Sequence, residues 1–160
     1  MFYRLSQFWS ALYPNITLED EKFASDYLSF TEIILFNKLP KADRKHALKV
    51  AHILNNTSPI DHNLIKAGLL HDIGKTQRPL SIIEKSLAVL ANIFLPQLVE
   101  KFSNQKDSFL YMYTHHANIG FDIARSLNLD ADILFLIKNH HNSHILDPRL
   151  QALIAADNAN

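Results

Sequence analysis

Apolar residues recur at three- and four-residue intervals along almost the whole 160-residue chain, and no run alternates as a half-buried strand would. Only three glycines occur, which suits helices better than hairpins. The expectation is one all-α domain over residues 1–160, long enough to bury a real core. A short helix is predicted from Phe2 to Tyr13, before Pro14. Thr17 is expected to cap a long helix that carries Glu19, Asp20 and Glu21 in its first turn and ends at Pro40. Asp43 is read as the cap of "RKHALKVAHILNN". The next helix takes Ser58 as cap, Pro59 as its first residue and Gly74 as its exit. Further helices are predicted from Ser81 to about Phe94 with a break near Pro96, from Asp107 to Asn128, from Asp130 to His141, and after Asp147 and Pro148.

Extending the apolar stripe of five of these helices by one turn brings a polar residue onto each. His46 shares a face with Val50 and Ile53, and His71 with Leu64, Ala67 and Gly68. His116 lines up with Gly120, Ile123 and Leu127, and His140 with Ile133 and Ile137, His141 lying beside it. Asp157 follows Leu150, Leu153 and Ile154. A lone inward histidine is ordinarily a satisfied core residue. Five helices each aiming an imidazole or a carboxylate inward call for a common partner, because isolated buried carboxylates are costly. Divalent cations are that partner for nitrogen and oxygen donors.

Composition narrows the functional classes. Lys plus Arg number 16 and so do Asp plus Glu, which leaves no electrostatic case for a nucleic acid polymer as partner. Cysteine is absent, so there is no disulfide frame, thiolate site or thiol nucleophile. "MFYRLSQFWSALYP" lacks the continuous apolar core of a signal peptide, and "SLAVLANIFLPQLV" is too short to span a bilayer. A cytoplasmic protein without a membrane partner is the expectation.

The elements "RKHALKVA", "AGLLHDIGK", "HANIGFDIARSL", "IKNHH" and "LQALIAADNAN", in that order, resemble the HD superfamily of metal-dependent phosphohydrolases in its HDIG-type branch. The resemblance covers Asp43 to the C-terminus; residues 1–42 hold N-terminal helices without a recognised motif. It implies an HD-domain helical bundle with a metal site at its centre. His46 matches the family's first ligand, His71 and Asp72 its name-giving pair, and His116 the histidine four before a glycine. His140 and His141 match the histidine pair of branches with two or more metals, and Asp157 the closing aspartate. Asp72 is expected to bridge two ions, Fe or Mn being the favoured metals. Lys75 matches a lysine that meets phosphate or a metal ligand in relatives, so Asp72 and Lys75 are the catalytic candidates. The implied chemistry is attack of a metal-bound hydroxide on a nucleotide or other small phosphate ester or anhydride. Two departures matter: Asn142 follows the histidine pair where related phosphodiesterases often have Glu, and the "GYP" loop of cyclic di-GMP hydrolases is missing.

Four histidines remain. His52, His62 and His115 are read as surface or satisfied residues, and His144, one turn past His140, as a candidate for substrate contact. Phe2, Phe8 and Trp9 are expected in core packing or in a homodimer contact, and Ile93 to Leu98 in the core or a pocket wall. Two rival readings use the same residues: a non-catalytic HD-type regulatory or binding module, and a di-iron oxygenase, since a few relatives oxidise their substrates.

Overall fold

The computed structural model describes residues 15–57, 59–106 and 108–159. The predicted helix from Phe2 to Tyr13, the predicted cap Ser58 and the predicted start at Asp107 lie outside them. Among the described residues the chain is helical without strands: α1 (Leu18–Tyr27), α2 (Phe30–Phe36), α3 (Lys41–Asn55), α4 (His62–Leu70), a 3-10 turn (Ile73–Thr76), α5 (Ile82–Phe94), α6 (Pro96–Phe102), α7 (Phe109–Ser126), α8 (Ala131–Asn139) and α9 (Pro148–Asn158).

Local chemistry sets most of the boundaries. Thr17 caps α1 through a reciprocal pair: its hydroxyl accepts from Asp20 N and its own N–H donates to Asp20 Oδ2. The long helix expected up to Pro40 is two helices, because Ser29 and Glu32 form a second reciprocal cap and force Leu28 into an extended conformation. Asp43 is not the cap of α3. That helix starts earlier, at Lys41, and Asp43 sits buried in its first turn. α4 is capped by Asp61, whose Oδ1 accepts from Leu64 N, and it ends at Leu70 rather than at Gly74. Asp147 caps α9 as expected, and Ser81, where a helix was expected to begin, proves to be the cap of α5. Ser108 caps α7, and Asn128, in the left-handed region at φ 56°, turns the chain towards α8.

The core lies where α4 packs between α3 and α8, with α9 against α3 and the 3-10 turn against α7. Leu48, Leu54, Ile65, Leu69, Leu70, Ile137 and Leu153 are fully enclosed there. Ile53 is not: it is 39% exposed. The buried stripe of α3 centres on Ala47, Ala51 and Leu54, and at 100° per residue both His46 and Ile53 fall on its flank. The expectation of a core position for Ile93 to Leu98 also fails, since Phe94 is 72% exposed and Ile93, Leu95 and Leu98 are exposed with it. α5 and α6 meet the rest of the chain along a narrow line of Ala88, Val99 and Leu110, which leaves their other faces open. No helix among the described residues is long and apolar enough to cross a membrane.

Candidate metal centre

Five helices bring a histidine or an aspartate to one place, two of them at their C-terminal ends. His71 caps α4 and Asp72 begins the 3-10 turn, His140 caps α8 with His141 next, and His116 lies mid-way along α7. His46 reaches in from the flank of α3 and Asp157 from the last turn of α9. The rings form a continuous set, with centroids 5.4 Å apart for His46 and His71, 5.0 Å for His71 and His140, and 4.0 Å for His140 and His141.

Backbone carbonyls orient three of these rings. Nδ1–H of His71 donates to Gly68 O at 2.9 Å, that of His116 to Tyr113 O at 2.9 Å and that of His140 to Ile137 O at 2.7 Å. Each bond spans one helical turn, fixes the tautomer, and turns Nε2 with its lone pair into the cluster. The Nε2 atoms of His71 and His140 are buried there without a hydrogen-bond partner. Leaving buried polar atoms unpaired is costly, and a divalent cation is the partner that an all-nitrogen-and-oxygen donor set accepts. Two triads have ligand atoms within 4.8 Å of one another: His46, His71 and Asp72, and His116, His140 and His141. The residues present fit a metal.

Asp72 stands between the triads. Its Oδ2 lies 3.5 Å from His71 Nε2 and its Oδ1 3.4 Å from His116 Nε2. Asp157 Oδ1 completes the first group, 2.8 Å from His46 Nε2 and 3.7 Å from His71 Nε2. His141 Nε2 meets His116 Nε2 at 2.9 Å in the second. Lys75 Nζ donates to Asp72 Oδ2 at 2.5 Å, so a cation already faces this carboxylate.

Charge is distributed unequally. Burial opposes ionisation of Asp72, but Lys75 and the surrounding histidines outweigh it and hold the carboxyl well below its usual range. Burial likewise opposes the charge of Asp157, and His46 and His71 overcome it. Burial pushes His116 down to about 4, against the pull of Asp72, and depresses His140 and His141 as well. The shift of all three favours the neutral imidazole, the form that coordinates metal. His71 is the exception: Asp72 and Asp157 overcome its burial and raise it. Burial also disfavours the charge on Lys75, and Asp72 and Asp43 restore it.

The cluster forms one side of a cavity of about 450 Å³, which His46, Asp72, Lys75, His116, His141 and Asp157 enter from the polar side. Sequence reasoning missed Lys85, Leu80, Val89 and Met112, which line the same cavity. It also missed the ion pair that Lys85 Nζ makes with Asp43 Oδ1 at 2.5 Å. A signal existed for Lys85 and Val89, which lie one turn apart on a helix that is otherwise mostly apolar. His144 is exposed and does not line the cavity. His52 stacks on Phe23 and meets Asp20, and His115 stacks on Tyr111, so both are satisfied away from the cluster.

The HD domain family model matches residues 44–159 of the chain. No curated protein and no solved structure matches it significantly.

Proposed function

The chain belongs to the HD domain family, and from that premise we propose that it hydrolyses a small phosphate ester or anhydride with divalent metal bound to the His–Asp cluster. The observation that carries the reading is the pair of buried Nε2 atoms of His71 and His140, one in each triad and neither hydrogen-bonded, with the two oxygens of Asp72 facing both groups. The proposed ligands are His46, His71, Asp72 and Asp157 for one ion, and Asp72, His116, His140 and His141 for a second. Iron or manganese suits this donor set. Metal held there supplies Lewis acidity and water ionised near neutral pH.

The chain's own groups account for substrate placement. Lys75 presents an ammonium to the cavity beside Asp72, where it can meet an oxygen of a bound phosphate. The carbonyl-fixed rings hold the cluster in one geometry, so no reorganisation is needed as charge builds on phosphorus. Water oxygen bonds to phosphorus, the bond from phosphorus to the leaving oxygen breaks, and that oxygen takes up a proton. Small phosphorylated compounds, nucleotides included, are the proposed substrates, in the cytoplasm.

Phosphate release from a panel of phosphomonoesters, nucleotides and dinucleotides by protein loaded with Mn²⁺ or Fe²⁺ tests the proposal. Activity that vanishes with EDTA and returns with added ion is expected. No release from any member sinks the hydrolase reading, and consumption of oxygen in place of phosphate release marks oxygenase chemistry instead.

A further inference from the structure

The cavity beside the cluster has two unlike sides. One is the charged side already described. Leu80, Val89 and Met112, none of which has a side chain able to donate a hydrogen bond, make most of the opposite wall, with Tyr113 beside them. Thr114 also lines the cavity, but its hydroxyl is engaged with the Leu110 carbonyl at 2.8 Å. A nucleoside next to its phosphate is a ribose with hydroxyls, and a pocket that selects it needs polar partners at that point. Here the surface adjoining the phosphate side is mostly apolar, aliphatic at Leu80, Val89 and Met112 and aromatic at Tyr113.

Among the described residues, Lys85 is the further lysine on that wall. It comes from α5, on the turn before Val89, and is held by Asp43 at the start of α3. Asp43 is buried, its Oδ2 has no partner, and its charge also reaches Lys75. Both lysines line the cavity, each paired with a carboxylate, Lys75 with Asp72 and Lys85 with Asp43.

We propose that Lys85, with Lys75, grips the phosphate of an ester whose organic half is apolar, that half lying on Leu80, Val89 and Met112. This rests on the hydrolase reading only for the identity of the site, and it narrows the substrate from small phosphates in general to aryl or alkyl phosphates. Asp43 is a positioning residue that holds Lys85 at the cavity wall.

The test uses three phosphonates, whose phosphorus–carbon bond is not hydrolysed: 1-naphthylmethylphosphonate, methylphosphonate and the phosphonate analogue of AMP. Their binding to the Mn²⁺-loaded full chain is measured by calorimetry. The naphthyl compound should bind about tenfold tighter than methylphosphonate, from apolar area removed from water, and tighter than the AMP analogue. Lys85→Ala should weaken the naphthyl and methyl compounds alike by about tenfold, the loss of one charge-assisted contact. Because that variant strands the Asp43 carboxylate, Asp43→Asn/Lys85→Gln serves as a neutral, hydrogen-bonded pair and should show the same loss. Val89→Asn should erase the naphthyl preference and leave methylphosphonate binding as it was. Equal affinity for the naphthyl and methyl compounds, tighter binding of the AMP analogue, unchanged binding in the Lys85 variants, or no binding to the wild type each overturns the proposal. Hydrolysis of 1-naphthyl phosphate is read separately. Binding as expected without phosphate release keeps the pocket and rejects the hydrolase reading, whereas release from nucleotides with no naphthyl preference does the reverse.

Discussion

Gly74 lies so tightly against His116 that a Cβ on it would overlap the His116 carbonyl oxygen and stand 2.8 Å from Gly120 N. The neighbouring Gly120 has the same problem in milder form, 3.3 Å from Gly74 N. The two glycines let the 3-10 turn carrying Asp72 press onto the helix carrying His116. Backbone cannot rotate away as a side chain can, so Gly74→Ala should separate the triads and cost about 3 kcal/mol, at the upper end of overpacking penalties. A thermal melt should fall by roughly 10 °C. An unchanged melting temperature would contradict the close approach.

That contact shows where sequence reading stops. Gly74 was expected to release the chain from a helix; its real constraint is a neighbour 42 residues further along the chain, which no local pattern records. The ligand candidates themselves were legible because each occupies a helical register relative to apolar residues. Caps with a reciprocal local partner, such as Thr17, or with a proline next to them, such as Asp147, were legible too. Asp43 was not, since its partner Lys85 comes from another helix and the carboxylate serves that lysine instead of its own backbone. Ser29 and Glu32 could have been read as a cap, but the continuous apolar period across them concealed the break.

Asp20 gives a stability prediction in acid. It accepts from Lys45 Nζ at 2.7 Å and from Thr17 N at 3.0 Å. Burial works against its charge, yet these partners lower its pKa from 3.8 to about 2. A folded-state pKa below the unfolded value means stability that is fully present above about 3.8 and lost as pH falls through about 2. The shift corresponds to about 2 kcal/mol. Asp20→Asn should therefore be about that much less stable at pH 7 by urea denaturation, with the gap to wild type narrowing as pH drops below 4. A gap independent of pH would mean that the Lys45 pair does not hold the carboxylate ionised.

Asp72 is the residue whose loss should be most damaging to chemistry. Both its oxygens face histidine Nε2 atoms, and Lys75 rests on one of them. Asp72→Asn keeps the shape and removes the charge, so the fold should survive, as circular dichroism can verify, while turnover falls by about 10³-fold or more. Wild-type turnover in Asp72→Asn, on any ester the protein hydrolyses, would exclude the bridging carboxylate from the reaction.

Metal stoichiometry decides whether the second triad is a site or a substrate clamp. His46, His71, Asp72 and Asp157 already supply enough donors for one ion, which needs four to six with water. His116, His140 and His141 would then be surplus, yet burial depresses the protonation of all three, two have Nδ1 fixed by a carbonyl, and His140 Nε2 is buried without a hydrogen-bond partner. A histidine that binds phosphate works as a donor and gains from being protonated, and burial pushes these three the other way. Imidazoles converging from two helices, beside the Asp72 oxygen that Lys75 does not hold, fit a second cation better. His116→Ala and His141→Ala should accordingly lower the bound metal from about two per chain to about one, by elemental analysis after dialysis. Were they substrate donors, the metal count would stay constant and only the Michaelis constant would rise. A wild-type count of one, or a count insensitive to both substitutions, would assign the triad to the substrate.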